Sequence, residues 1–327
     1  MTKIWMRDIT DFDTVATPQN YLINGGFDFA QRQVPNTFST IATDKYGFDR
    51  WRVSSQSASV QTTRGDGVAG GIDCQYFGWH KQITNDGKFM VYQIIEGNNS
   101  QPLHGQTVTF SINMLATANK TIRMGVIELA NAGTIDTIPA TFVSAWGDNT
   151  VDPTLGANLA YIGTPVSKSV LSNAWATYSI TVTIPTNSKN IICAIWTDSQ
   201  FAALDILYTA KAGLYIGSVV PTWNPKPIQQ ELALCQRYYQ NSANTGGILY
   251  GAGYATAGVG IASVYVFPTT MRATPIITSA SETNTGMAAG GPATTKVSAV
   301  SFASYWAKDG SAGGYIWGLN HTVESEL

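Results

Sequence analysis

The sequence has 327 residues, only 12 % of them charged, with 19 Lys or Arg against 21 Asp or Glu and a formal net charge of −2. That is about half the charge content of an average soluble protein, with no basic cluster to attract phosphate backbones and no apolar run near the roughly 20 residues of a spanning helix, so neither nucleic-acid binding nor membrane insertion is expected. A chain of this length is expected to hold about two domains, and its abundant Gly, Ser, Thr, Asn and Ala suit the wet faces of β-strands.

Residues 1–20 lack periodicity, include Pro18 and alternate acidic with hydroxyl side chains, which reads as an arm that docks onto a neighbour. Acidic residues such as Asp8 and Asp11 stand where a secretory signal would need its apolar core, so synthesis in a cytoplasm and release by lysis are expected. From Tyr21 the chain becomes a series of short alternating runs. In residues 107–115, Val108, Phe110, Ile112 and Met114 alternate with Thr107, Thr109, Ser111 and Asn113, and residues 179–184 repeat the pattern with Ile180, Val182 and Ile184. Residues 191–196 are apolar at every position, which predicts a strand covered on both faces. Turn residues such as Asn24-Gly25-Gly26, Asp66-Gly67 and Asp86-Gly87 separate the runs.

Residues 227–240 differ. Ile228, Leu232, Cys235 and Tyr239 recur at spacings of four, three and four, an apolar stripe on a helix of about four turns opened by Pro225 and Pro227. The stripe is expected to pack on a neighbouring β region or on copies of itself about a symmetry axis. A second β set follows at 260–267, 275–279, 296–302 and 314–319. The expected fold is therefore all-β: an arm at 1–20, a jelly-roll β-sandwich at 21–223, a Pro-led linker helix at 224–244 and a small C-terminal β-sandwich at 245–327.

Chemistry is sparse. Asp136, Asp148, Asp152, Glu96 and Asp205 form no recognisable catalytic pair, and His80, His104 and His321 have no metal-ligand spacing. Cys74, Cys193 and Cys235 are widely spaced and read as simple thiols. No cofactor is expected and no enzyme is indicated. A structural calcium ion on Asp73, Asp198 or Asp205 is compatible with the fold, although no dense Asp/Asn loop marks it. Glycan binding needs an aromatic face beside amides or carboxylates, and three places offer one: Trp79 in Tyr76-Phe77-Gly78-Trp79-His80, Trp146 with Asp148, and Tyr305-Trp306. Arg50 and Arg52 in Phe48-Asp49-Arg50-Trp51-Arg52 are either a fork for an acidic group or partners of neighbouring groups.

Segments that include Asn20-Tyr21-Leu22-Ile23-Asn24-Gly25-Gly26-Phe27, Tyr46-Gly47-Phe48-Asp49-Arg50-Trp51, Gln93-Ile94-Ile95-Glu96-Gly97 before Leu103-His104-Gly105-Gln106, the helix Gln230-Glu231-Leu232-Ala233-Leu234-Cys235-Gln236-Arg237-Tyr238-Tyr239, Val266-Phe267-Pro268 and the ending Glu324-Ser325-Glu326-Leu327 form a set. Together they resemble bacteriophage virion proteins, chiefly tail-fibre and receptor-binding proteins with a jelly-roll module similar to carbohydrate-binding modules. The resemblance spans roughly residues 20–327. It implies a virion structural protein, often trimeric, that meets other virion proteins through its arm and a bacterial surface polysaccharide elsewhere; the alternatives are a capsid decoration, a baseplate component or a glycan depolymerase. Residues 130–172 depart from it, being longer and looser than a connection between two jelly-roll strands.

Overall fold

The computed structural model describes residues 18–327 apart from 34–36, 42, 57–59, 68–69, 84–86, 148–150, 173, 243–248, 289–292 and 311, and apart from the side chains of 281–284. The arm up to residue 17, Asp86 and Asp148 lie outside the described residues. The first eight strands are β1 (Ser39–Ile41), β2 (Lys45–Phe48), β3 (Trp51–Ser55), β4 (Val60–Asp66), β5 (Tyr76–Gln82), β6 (Phe89–Ile95), β7 (Thr107–Ala116) and β8 (Lys120–Leu129). A short hairpin, β9 (Val143–Ala145) and β10 (Thr154–Leu155), precedes β11 (Leu159–Val170), β12 (Ala176–Thr183), β13 (Asn190–Thr197) and β14 (Ile206–Ile216).

These strands make two antiparallel six-stranded sheets. The first has the order β1-β4-β5-β14-β7-β12 and the second β11-β8-β13-β6-β3-β2. From β11 to β14 the chain changes sheet at every step, the crossing pattern of a jelly-roll sandwich. The alternation in β7 sends Val108, Phe110, Ile112 and Met114 into the space between the sheets, where they meet Phe27, Phe48, Trp51 and Leu214. Each such side chain contributes roughly 1.5–3 kcal/mol of burial.

The second sheet is covered on its outer side as well. The excursion between β8 and β11 lays Phe142 and Val143 over Met90, Tyr92, Ile94, Ile127, Ile192 and Trp196, with the Phe142 and Tyr92 rings stacked at 3.9 Å. In β13, Ile191, Cys193 and Ile195 therefore face the inter-sheet core while Ile192, Ala194 and Trp196 face the excursion. The continuous apolar run of this strand and the unexpected length of residues 130–172 have one explanation.

The helix runs over Ile228–Gln236 and is shorter than its apolar spacing predicts. Tyr239 lies beyond it, in β15 (Tyr239–Asn241), where it pairs with Glu324. Ile228 is 47 % exposed, Leu232 is half-buried, and the residues turned inward are Cys235 and Glu231. A carboxylate holds the central inward position because the Asn24 backbone N–H donates to it and the Lys226 ammonium stands 3.6 Å away. In this chain the helix docks on its own sandwich.

The strands that follow are β16 (Leu249–Ala255), β17 (Gly260–Val266), β18 (Ile276–Thr285), β19 (Ala293–Thr295), β20 (Ser301–Ala307) and β21 (Gly313–Glu324). β15 and β16 pair with one side of β21 and β18 with the other, while β17, β20 and β19 form a separate sheet. Between the sheets lie Leu249, Phe267, Met271, Phe302, Trp306 and Trp317. The strand expected at 296–302 is displaced: Lys296 takes a positive φ of 53°, and the Ser298 hydroxyl accepts from the Ser301 N–H at 3.1 Å, so residues 296–300 turn and pairing resumes at Ser301.

A buried polar joint ties this region to the sandwich. Arg50 is 1 % exposed, pairs with Glu326, donates to the Ile94 carbonyl at 2.7 Å and lies 3.6 Å from the Tyr238 ring centroid. Glu96 accepts from the Tyr238 hydroxyl at 2.7 Å and from Arg237 at 2.9 Å. Arg32 reaches Glu326 at 3.2 Å, and Asp49 accepts from the Gln31 backbone and side chain. Burial pushes the Asp49 carboxyl up, with Arg32 opposing the shift. Arg52 donates to the Asp44 carbonyl at 2.6 Å. Of the two readings of these arginines, Arg50 and Arg52 follow the one in which they satisfy groups of their own chain.

Candidate functional site

Among the described residues, the outer face of the first sheet is covered less than that of the second, with Ile72 and Cys74 packed at one side of it and residues 220–223 bordering it. Period-two geometry sends Phe77 and Trp79 of β5 to this face and Gly78, His80 and Gln82 to the core side. Trp79 stands opposite Tyr208 of β14, and Leu115 of β7 is Tyr208's partner on the other side. Trp175, just before β12, closes the group by donating from its indole N–H to the Gly70 carbonyl at 2.9 Å.

Phe77 forms the floor, stacked on Trp79 at 5.9 Å and edge-on to Trp175 at 5.5 Å and Tyr208 at 5.7 Å; Trp79 and Tyr208 are 5.3 Å apart. Phe77 is buried, while Trp79, Trp175 and Tyr208 are half-buried. Gly65 permits the stack, because a Cβ there would overlap Phe77 and the Trp79 indole nitrogen. The rings border a cavity of about 390 Å³ whose rim includes Thr117 and Ser172. This is the size range of small-ligand pockets, with apolar faces beside hydroxyls.

Two residues further along β7 and β12 the face becomes polar. Thr177 donates its hydroxyl to the Asn113 side-chain oxygen at 2.9 Å, and Ser111, Asn113, Thr177 and Lys211 border a second cavity of about 420 Å³ closed by Trp223. A third, of about 630 Å³, shares Lys211 and Trp223 and adds Asp28 and Asp73. Burial and the neighbouring Glu231 push the Asp28 carboxyl up, and Arg64 counteracts them. The second and third cavities adjoin at Lys211, Thr222 and Trp223, and Asn113 and Thr177 of the second lie two residues along β7 and β12 from Leu115 and Trp175 of the first, so the face has an aromatic end and a polar end.

The residues singled out in the sequence are placed unevenly. Trp79 belongs to this site. Trp146 does not: it packs with the cluster outside the second sheet and borders a separate cavity of about 430 Å³ with Lys45 and Arg52. Tyr305 is 41 % exposed on β20, but its neighbour Trp306 is 3 % exposed and donates to the Ala288 carbonyl at 2.9 Å, so strand alternation puts only one of that pair on the surface. Asp198 pairs with Arg123 at 3.4 Å and Asp205 with Lys120 at 2.5 Å, while Asp73 lies exposed, and among the described residues these three carboxylates form no metal-binding group. Phe77 stands with Trp79 in the candidate run Tyr76-Phe77-Gly78-Trp79-His80. Trp175, Tyr208, Asn113, Lys211 and Trp223 were not among the sequence candidates and are brought there only by the tertiary fold.

Glu96, Asp136, Asp152, His80 and His321 lie away from this face. Glu96 lies in the joint, Asp136 accepts from the Gly97 N–H at 2.8 Å, and Asp152 pairs with Arg123 at 2.6 Å. His80 is fully buried, 3.0 Å from the Thr209 hydroxyl, and burial pushes it down to about 3; His321, between Tyr265 and Phe302, is pushed down to about 4.

No protein-family model and no curated protein matches the sequence. Among solved structures, the chain is similar to a family 61 carbohydrate-binding module in complex with β-1,4-galactotriose, with 14 % identity over 61 % of this chain and 99 % of that one and a TM-score of 0.37. It is similar to the enzymatically active domain of tailspike protein 4 of bacteriophage CBA120, with 10 % identity over 61 % of this chain and 21 % of that one and a TM-score of 0.36. A family 22 carbohydrate-binding module of Clostridium thermocellum xylanase 10B shares 13 % identity over 57 % of this chain and 99 % of the module, with a TM-score of 0.35.

Proposed function

We propose that this chain is a non-catalytic glycan-binding protein of the bacteriophage virion, a tail-fibre or receptor-binding component that presents the outer face of its first sheet to host surface polysaccharide. The observation that carries the reading is the asymmetry of the sandwich. The second sheet spends its outer face on the 130–158 excursion, whereas the first leaves Trp79, Trp175 and Tyr208 half-exposed beside Asn113 and Thr177. Aromatic faces receive the C–H side of a sugar ring, and amides and hydroxyls receive its hydroxyls. The phage context is supported by the sequence segments that resemble fibre proteins; in the fold they build the joint and the sandwich entry, which leaves ligand choice to the open face. On the C-terminal strands, Val264, Val266 and Ile276 are exposed, which suits burial against further copies, a trimer being favoured.

Affinity electrophoresis in gels containing host surface polysaccharide tests the binding. The wild-type chain is expected to be retarded, and Trp175→Ala and Tyr208→Ala to lose affinity by about ten-fold or more, which is about 1.4 kcal/mol, with unchanged far-UV circular dichroism. Wild-type mobility in both variants would reject this face as the site. Immunogold labelling of virions tests the location, and label on the head instead of the tail tip would favour capsid decoration.

A further inference from the structure

Resting on the reading of this face as a glycan platform, we infer that the groove selects acidic polysaccharides, with the Lys211 ammonium receiving a sugar carboxylate. The first support is the backbone. Ala210 pairs with Asn113 and Gly213 with Ser111, so three steps of β14 answer two of β7, and the strand carries a bulge. Regular alternation after Ala210, which lies on the outer face with Phe77, would turn residue 211 into the apolar core. Instead Lys211 takes a positive φ of 50° and lines the groove.

The bulge is held from outside the strand. The Ala212 N–H donates to the Gly25 carbonyl at 2.9 Å, the Asn20 amide donates to the Ala212 carbonyl at 3.1 Å, and the Leu214 N–H donates to the Asn20 side-chain oxygen at 3.1 Å. A Cβ at Gly25 would overlap the Ala212 carbonyl oxygen. Residues 20–25 thus fix the position from which the lysine is presented, which is the preorganisation a recognition residue needs.

Charge gives the second support. Lys226, the other lysine of the groove, donates to the Leu22 carbonyl at 2.7 Å and faces Glu231 at 3.6 Å. Among the described residues Lys211 has no ion pair. Asp28 and Asp73 border only the larger cavity, whereas the smaller one, lined by Lys211, Asn113 and Thr177, has no acid in its lining. The carboxylate is therefore assigned to the smaller cavity, within reach of Asn113 and Thr177.

The test uses the full chain, a panel of uronate-containing bacterial capsular polysaccharides, and the same polymers with their carboxyl groups reduced to alcohols. The wild type is expected to bind at least one acidic polymer about ten-fold or more tighter than its reduced form. Lys211→Met is expected to bind both forms alike at the affinity of the reduced one, and Lys211→Arg to keep the preference, with melting curves confirming that both variants fold. Equal wild-type binding to both forms overturns the acidic selectivity and leaves the platform standing. A preference that persists in Lys211→Met overturns the role of Lys211. If no polymer of either form binds, or if Trp175→Ala and Tyr208→Ala bind like the wild type, the platform itself falls and the inference with it.

Discussion

At the scale of single residues, the buried polar groups decide how this protein responds to acid. His80 is enclosed between Phe27, Phe48 and the Thr209 hydroxyl, and burial lowers it from 6.5 to about 3. The folded state holds this imidazole neutral, whereas the unfolded chain takes up a proton below about 6.5. Its contribution is therefore fully present above that pH and is lost progressively as the pH falls toward 3, at about 1.4 kcal/mol per unit. His321, lowered to about 4, adds in the same direction. Melting temperature should fall between pH 6.5 and pH 4.5, and in His80→Gln the fall should be shallower from a lower neutral starting point. An unchanged slope would mean that His80 is accessible to protons in the native state.

Among the elements, β14 carries most of the proposed function. Its first half supplies Tyr208 to the aromatic group, and its bulge supplies Lys211 to the polar end. The partner that shapes it is the segment at residues 20–25, whose Asn20 and Gly25 hold the bulged backbone. Gly25→Ala would press a methyl group against the Ala212 carbonyl, and overpacking of this kind costs roughly 1–3 kcal/mol. Its melting temperature should drop and its polysaccharide affinity with it, while the intrinsic fluorescence of the core should remain native-like. Wild-type affinity in a destabilised Gly25→Ala would separate the clamp from the site. The helix shows how a polar anchor overrides periodicity. Glu231 bonds the Asn24 N–H, so the inward face is Glu231 with Cys235, and Ile228 of the expected stripe stays half in solvent.

For the whole molecule, the joint around Arg50 and Glu326 links the sandwich to the strands after the helix. Removing one partner of a buried pair leaves the other charged and unsatisfied, at about 3–5 kcal/mol, whereas replacing both with apolar groups is often near neutral. Glu326→Ala should lower the melting temperature and split the transition into two, one for each part, while the double variant Arg50→Met with Glu326→Leu should recover much of the loss. Calorimetry reads both, and a single unshifted transition in Glu326→Ala would show that the joint does not couple the two parts.

Much of the secondary structure was legible in the residues because it is local. Alternation in 107–115 fixes which side chains enter the core whatever the neighbouring strand, and the two-sided apolar run at 191–196 announces a covered strand before its cover is known. Two element ends shifted: at Ser298 a local hydroxyl contact turns the chain, and at Tyr239 pairing with β21 takes over from the helix. Of the site, only Trp79 and its neighbour Phe77 could be picked out beforehand, on the strength of the aromatic run Tyr76-Phe77-Gly78-Trp79-His80. Trp175 and Tyr208 reach it from about 100 and 130 positions away in sequence, and only antiparallel pairing of β5, β14, β7 and β12 sets their rings together. Trp306 and Tyr305 look equivalent in the sequence and are opposite in the fold, because one step along a strand reverses the face. The sequence by itself determined the all-β class, the alternating faces and the shortage of charge, since these depend on side-chain type and period. Tertiary structure alone decided which sheet stays uncovered and where a bulge turns a lysine outward, since both depend on distant segments occupying space that no local pattern records.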